Sequence, residues 1–158
     1  VRGLHRYTVN EGYTNMNGAL RSGGGSPETH KLIEDATRAL DRLPTPEPGD
    51  LYRGTALPKG VVDKMLDEGV FSDPAFLSTS RDSSVAAQFA EMSAKKSPDN
   101  IPVEFRIKNG TAPDIQSFSA YANEAEHLYK PGAKFDVVEM VEKQFGSKQG
   151  WKVVMKEQ

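Results

Sequence analysis

The sequence has no cysteine and only three histidines, His5, His30 and His127, among its 158 residues. The absence of cysteine excludes a disulfide framework, thiol catalysis and a zinc site with cysteine ligands. The histidines stand far apart in the sequence, so we expect no metal site. No apolar run approaches the roughly 20 residues that a membrane-spanning helix needs, and no signal-peptide pattern opens the chain.

A large excess of charge of either sign is also missing, because 22 acidic residues oppose 20 basic ones and leave a formal net charge of −2. This balance argues against a general nucleic-acid coat protein and against a basic membrane-surface protein. Hydrophobic residues make up only 37% of the chain, yet so small a net charge does not indicate disorder. We expect residues 1–158 to form a single domain, excised from a longer chain since it starts with Val1.

Helix patterns dominate the first half of the chain. In residues 10–21 apolar side chains recur at helical spacing. A second and more regular pattern follows Ser26 and Pro27, which suit the N-cap and first position of a helix. Prolines at 44, 46 and 48 end that helix.

Short strand patterns dominate the second half. Residues 101–107 alternate apolar and polar side chains, which predicts a half-buried strand. The other predicted elements are a helix at 58–68, a helix capped by Asp82 or Ser83, and strands at 51–55, 76–80, 124–128, 134–142 and 151–156. Because helices come first and strands later, the order favours an α+β domain over a βαβ alternation.

Three short motifs are candidates for chemistry: residues 52–54 (YRG), 78–80 (STS) and 124–126 (EAE). Side chains two apart on a strand share a face, so Glu124 and Glu126 would lie side by side, where their repulsion gives an ordinary strand no advantage. An arginine fork suits a phosphate, and a glycine beside it allows close backbone approach. The hydroxyl groups of residues 78–80 could orient a ribose. Together, the arginine, the hydroxyl groups and the two carboxylates suit a site that binds a dinucleotide and breaks its glycosidic bond.

In these motifs the sequence resembles the mono-ADP-ribosyltransferases of the R-S-E class. The arginine motif is similar to residues 51–55 (LYRGT), the serine motif to 75–80 (AFLSTS) and the glutamate motif to 121–128 (YANEAEHL), in the family's order. The resemblance implies an α+β fold. An N-terminal helical lobe would precede two short antiparallel or mixed sheets, packed at a steep angle with an NAD cleft between them.

The resemblance also implies how NAD, the expected substrate, is bound. Arg53 would bind its phosphates and the nicotinamide-side ribose, and Gly54 would offer its backbone to the nicotinamide amide. Ser78 would hold Glu126 in position, and Phe89 would stack on or flank the nicotinamide. The full set of expected NAD contacts is Arg53, Gly54, Ser78, Thr79, Ser80 and Phe89.

The expected catalytic residues are Arg53, Ser78, Glu124 and Glu126. Glu126 would bond the ribose 2′-hydroxyl and stabilise the oxocarbenium-like species as nicotinamide leaves. Glu124 would engage the acceptor. A guanidinium is protonated at neutral pH and a poor nucleophile, and a carboxylate can aim it and take its proton. This chemistry, and the family's use of E-x-E, predict arginine as the acceptor. Phe118, Tyr121 and Glu124 would contact the target protein.

One stretch departs from the family pattern. Many toxin relatives carry an arginine shortly after the position of Phe89, where it grips a phosphate. Residues 90–96 read AEMSAKK here and contain no arginine. The sequence therefore leaves open which residue, if any, makes the second phosphate contact.

The vertebrate cell-surface members of the family that the sequence resembles depend on disulfides. The resemblance and the absence of cysteine together imply a bacterial toxin or effector, secreted or injected, that acts in the reducing cytosol of a target cell. The expected partners are a target protein modified on arginine and an immunity or inhibitor protein. No membrane partner is expected, and the near-neutral net charge argues against a nucleic acid. Three alternatives stay open: an NAD glycohydrolase with water as acceptor, a transferase that acts on a nucleic acid, and a degenerate domain that binds a partner through residues 115–123.

Overall fold

The structure is a computed structural model that describes residues 10–115 and 126–158, the side chains of 10–15 excepted. Its described helices are α1 (Asn10–Ser22), α2 (Pro27–Arg42), α3 (Lys59–Glu68) and α4 (Ser84–Lys96). Its described strands are β1 (Gly49–Leu57), β2 (Val70–Ser72), β3 (Leu77–Ser80), β4 (Ile101–Gly110), β5 (Glu126–Tyr129), β6 (Lys134–Phe145) and β7 (Lys148–Glu157). The predicted α+β class is confirmed.

The described strands form a mixed sheet in the order β2-β6-β7-β4-β1-β3-β5. Strands β4 and β7 run parallel, whereas β1 is antiparallel to both β4 and β3. The resemblance implies two short sheets, whereas in the structure the described strands are hydrogen-bonded in one continuous order. The register of β1 on β3 consists of one residue pair, Tyr52 with Ser80. The steep packing angle and the cleft stay predictions.

The chain divides into two compact units. Unit 1 comprises residues 1–47, 73–79 and 111–133. Unit 2 comprises residues 48–72, 80–110 and 134–158. Strand β3 contributes residues to both units, because the division falls after Thr79. None of the described helices is long and apolar enough to span a membrane.

The core of unit 1 forms around α2. The helix starts as the sequence predicts, with the Ser26 hydroxyl accepting a hydrogen bond from the Thr29 amide at 3.1 Å and Pro27 in the first turn. Its buried stripe packs in a cluster with α1 and the segments that flank β3 and β5. The cluster comprises Met16, Ala19, Leu32, Ile33, Ala36, Ala39, Leu40, Phe76, Ile115 and Leu128.

Strand β4 is central to the core of unit 2. Its side chains Val103, Phe105 and Ile107 are fully buried, as the alternation in 101–107 predicts. Pro102 and Glu104, on the opposite face, are buried as well. Since α4 packs against β4, the strand is covered on both faces. The prediction of a half-buried strand is therefore wrong.

An ion pair joins β1 to β4 near one end of the strands. The Arg106 guanidinium donates from Nε and Nη2 to Asp50 Oδ2, at 2.8 and 2.6 Å. The Asn109 amide donates to the other carboxylate oxygen at 3.2 Å. These hydrogen bonds, that from Arg106 first, hold the pKa of Asp50 below its ordinary value against the opposing effect of burial.

We expect Asp50→Asn to unfold at a lower temperature than the unmodified protein at pH 7. A carboxyl whose folded-state pKa is lowered stabilises the fold above its unfolded pKa of about 3.9, and that stabilisation disappears as the pH falls through the folded pKa. The melting temperatures of the two proteins should therefore converge once the pH falls below the lowered pKa of Asp50. Melting scans across this pH range measure the difference. Glu34→Gln, which breaks an exposed pair with Arg38, is the control and should change little. A difference independent of pH would contradict the assignment.

Candidate active site

Arg53 lies in the middle of β1, where strand pairing fixes its direction. It is paired with Phe105 of β4, and residues paired across antiparallel strands point to the same face. The Arg53 side chain therefore leaves the sheet on the face of Leu51 and Phe105, both fully buried, and is itself half-buried. The planar guanidinium of an arginine suits bidentate binding of a phosphate.

Gly54 points to the other face of β1, directly beneath α4. Ala86, Ala90 and Ala94 form the buried side of this helix. A Cβ at Gly54 would lie 2.6 Å from the Ala90 amide nitrogen and would overlap the Ala86 carbonyl. The glycine is thus required for the close approach of helix and strand. The sequence indicates close backbone approach at Gly54, and the structure supplies α4 as the partner, while the nicotinamide contact stays a prediction.

Strand β3 carries the serine motif with alternating directions. Ser78 and Ser80 are half-buried on one face, whereas Thr79 is only 4% exposed on the other. The Thr79 hydroxyl donates to the His127 carbonyl at 2.8 Å. This hydroxyl, predicted to contact NAD, is used in the structure to hold β3 to β5. The predicted contacts of Ser78 and Ser80 with NAD remain compatible with their directions.

Glu126 is the first residue of β5 and is half-buried. Its carbonyl accepts a hydrogen bond from the Ile115 amide at 3.1 Å, which anchors the backbone at this position. The next residue, His127, is 6% exposed, and its Nδ1 donates to the Ala112 carbonyl at 2.7 Å. Because successive side chains on a strand alternate, the Glu126 carboxylate leaves on the side opposite this buried imidazole.

Three predicted site residues lie outside the described residues. Glu124, Phe118 and Tyr121 fall within 116–125. Their predicted roles in acceptor and target binding therefore stay predictions. Among the residues that the structure does describe, no group of three His, Asp or Glu side chains could hold a metal ion.

Helix α4 follows a turn held by the Asp82 side chain and carries Phe89 at an exposed position. The Asp82 carboxylate accepts from the Ser84 amide and hydroxyl at 2.9 and 2.7 Å, and these hydrogen bonds lower its pKa. Phe89 and Met92 are each 48% exposed. Met92 lies in the stretch where the family pattern has an arginine, and Lys95 in the same stretch pairs with Glu91 at 3.6 Å.

Arg53 and Ser80 lie on β1 and β3 within unit 2, whereas Ser78 and Glu126 lie on β3 and β5 within unit 1. Within unit 2, Tyr52 pairs with Ser80, so the arginine motif lies beside the end of the serine motif. Within unit 1, Ser78 and Glu126 are each one residue before the contact between Thr79 and His127. Within unit 1, this contact holds the strand that carries Ser78 to the strand that begins with Glu126.

Comparison with known proteins relates the whole chain to enzymes. The family model described as "ADP-ribosyltransferase exoenzyme" matches residues 1–158. The NAD(+)–protein-arginine ADP-ribosyltransferase Tre1 of Pseudomonas putida is 37% identical over 143 residues, which cover 90% of this chain and 26% of that protein. Tre1 of Serratia proteamaculans is 33% identical over 143 residues, covering 90% and 29%. The chain therefore spans less than a third of the length of these relatives.

Solved structures with the same fold include the Vis toxin, an ADP-ribosyltransferase from Vibrio splendidus. It superposes with a TM-score of 0.78 at 27% identity, over 99% of this chain and 71% of that one. A structure of Vis in complex with agmatine superposes with a TM-score of 0.74 at 25% identity, again over 99% and 71% of the two chains.

Proposed function

The chain belongs to the ADP-ribosyltransferase exoenzyme family, and from this we propose that it transfers ADP-ribose from NAD to arginine side chains of a target protein, with release of nicotinamide. The observation that carries the proposal lies within unit 1, where Thr79 of β3 contacts His127 of β5 at 2.8 Å, with Ser78 and Glu126 each one residue before this contact. The naming of both Tre1 relatives as arginine ADP-ribosyltransferases supports the choice of acceptor. The proposal treats residues 1–158 as one catalytic domain.

In the proposed reaction some residues bind NAD and others assist the breaking of its glycosidic bond. Arg53 binds the NAD phosphates through its planar fork. Loss of nicotinamide leaves positive charge on the ribose carbon and ring oxygen, and the Glu126 carboxylate stabilises that charge while it bonds the 2′-hydroxyl. Ser78, in the strand next to β5, orients the carboxylate, and Phe89 flanks the nicotinamide from α4.

Arginine is the proposed acceptor because a second carboxylate, Glu124, is available to accept a proton. The guanidinium must lose a proton as its nitrogen bonds the anomeric carbon, and a nearby carboxylate both aims the group and accepts that proton. Agmatine, which is bound in one of the Vis structures, ends in a guanidinium. A bound guanidinium compound in a related protein supports the same acceptor class here.

Incubation with NAD and agmatine tests the proposal. We expect nicotinamide release together with ADP-ribosyl-agmatine, detected by mass spectrometry. Free ADP-ribose as the main product would favour the alternative of an NAD glycohydrolase. With a cell lysate as acceptor, modification found on nucleic acid and absent from arginine would overturn the choice of acceptor.

We expect Glu124→Gln to separate transfer from hydrolysis. The glutamine can bond to a guanidinium but cannot take its proton, so transfer to agmatine should fall by about 100-fold or more. Hydrolysis of NAD uses water and should fall by less than about 10-fold. The two products are quantified in one reaction. Glu139→Gln, at an exposed position of β6, serves as the control. Equal losses of transfer and hydrolysis would contradict the role of Glu124.

The proposal extends to a toxin that is secreted or injected and acts in the cytosol of a target cell. Vis, a structural relative, is described as a toxin, and a chain without cysteine suits a reducing compartment. A producer that contains the same target would need an immunity or inhibitor protein as a partner. Cytosolic expression in a bacterial and in a yeast host should arrest growth in at least one of them. Normal growth of both hosts, with soluble active protein present, would contradict a toxin.

A further inference from the structure

Asp73 connects three segments of unit 1. Its carboxylate accepts from Arg21 of α1, with Nε at 3.3 Å from Oδ1 and Nη2 at 3.0 Å from Oδ2. Oδ1 also accepts from the Ala75 amide at 2.9 Å, at the entrance to β3. Its backbone carbonyl accepts from the Gly132 amide at 3.0 Å, in the loop that follows β5. One residue thus contacts α1, the entrance of β3 and the exit of β5.

A second contact from α1 holds the same entrance. Asn17, one helical turn before Arg21, is 2% exposed, and its Oδ1 accepts from the Phe76 amide at 3.0 Å. The Phe76 side chain is fully buried in the cluster that also contains Leu128 of β5. Helix α1 therefore holds this segment at the Asp73 side chain and at the Phe76 amide, while the Asp73 carbonyl ties it to the loop after β5.

We propose that Asp73 is a positioning residue for the reaction proposed above, on which this inference rests. It sets where β3 and β5 present Ser78 and Glu126. Reacting groups must be held to within fractions of an ångström, and supporting contacts outside the site provide that precision. The Asp73 side chain is only 15% exposed, whereas its partner Arg21 is 43% exposed, so the carboxylate is largely shielded from solvent and the guanidinium reaches it.

The same unit offers a matched control. Lys130, directly after β5, pairs with Asp41 of α2 at 2.6 Å, with side chains 51% and 54% exposed. This pair also joins a helix to the exit of β5 but lies in solvent, where ion pairs contribute little. Asp41→Asn therefore removes one negative charge, as Asp73→Asn does, but leaves the contacts of Asp73 intact.

The experiment measures kcat and KM for NAD, as nicotinamide release, and the melting temperature for four proteins: the unmodified chain, Asp73→Asn, Asp73→Ala and Asp41→Asn. For Asp73→Ala we expect kcat to fall by about 10- to 100-fold, with KM changed by less than about 3-fold because Arg53 lies on β1. Asp73→Asn keeps an oxygen for the Ala75 amide and should recover part of the loss. Asp41→Asn should stay within about 2-fold of the unmodified chain.

The outcomes separate this inference from the proposed function. If the unmodified chain releases nicotinamide and Asp73→Ala matches Asp41→Asn in kcat, the positioning role is overturned and the proposed function stands. A loss of kcat that only follows the unfolded fraction at the assay temperature also overturns it. If the unmodified chain releases no nicotinamide, the proposed function fails and the inference fails with it. A lower kcat in a folded variant, partly restored in Asp73→Asn, supports the positioning role.

Discussion

Glu126→Gln should abolish nicotinamide release, with kcat lowered by about 1000-fold or more, and leave the fold intact. Glutamine has the shape of glutamate but no charge, so it cannot stabilise the positive ribose. The change is confined to the side chain, and the backbone bond from the Ile115 amide to the carbonyl of residue 126 is retained. Transfer to agmatine and hydrolysis of NAD should fall together, because both need the glycosidic bond to break.

Nicotinamide release is measured with NAD at saturating concentration, beside a melting curve for each protein. Glu142→Gln, at an exposed position of β6, controls for the loss of one negative charge. Turnover of Glu126→Gln near that of the control would refute the assignment. A lowered melting temperature would instead assign Glu126 a structural role.

Gly54→Ala should cost about 3 kcal/mol or more of the free energy of unfolding, since overpacking against rigid neighbours is destabilising. The added Cβ would lie 2.6 Å from the Ala90 amide nitrogen, and backbone atoms of a helix cannot move aside as a flexible side chain does. Helix α4 would have to move away from β1, which would expose the alanines that pack there. We expect activity to fall as well, because α4 carries Phe89.

Urea denaturation measures this effect, as a lower midpoint with little change in the dependence on urea. Gly60→Ala is the control, because a Cβ at this position in the first turn of α3 would meet no atom within 4 Å. Alanine is the better helix former, so Gly60→Ala should stabilise by up to about 1 kcal/mol. Equal stability of the two variants would contradict the close packing of α4 on Gly54.

Elements determined by local sequence were predictable from that sequence. The start of α2 follows from Ser26 and Pro27, and the buried face of β4 follows from a simple alternation. The burial of Glu104 was not predictable, because it depends on α4 crossing over β4. Strand β2 is too short to show a period, and it exists through pairing with β6, where Phe71 opposes Phe135.

For the candidate site, the residue types could be predicted from the sequence, whereas the spatial neighbours of each residue are known only from the structure. Nothing local in the arginine and serine motifs predicts that β1 and β3 pair, since strand pairing joins distant segments. The contact of Thr79 with β5 was missed for the same reason. The sequence gives only weak indications of the role of Asp73. Asn17 and Arg21 are four residues apart and so share a helix face. An aspartate two residues before Ala75 fits a turn closed by its side chain.

The central position of β7 constrains the order of events during synthesis. This strand, the last of those described, lies between β6 and β4, and its side chains Val153 and Met155 are fully buried. Strands β4 and β6 therefore leave the ribosome with open edges and remain unpaired with β7 until residues 148–157 follow. The unpaired backbone N–H and C=O groups of such edges can pair with strands of other chains. The sheet of unit 2 must close after translation of β7, and until then the nascent chain depends on protection from aggregation.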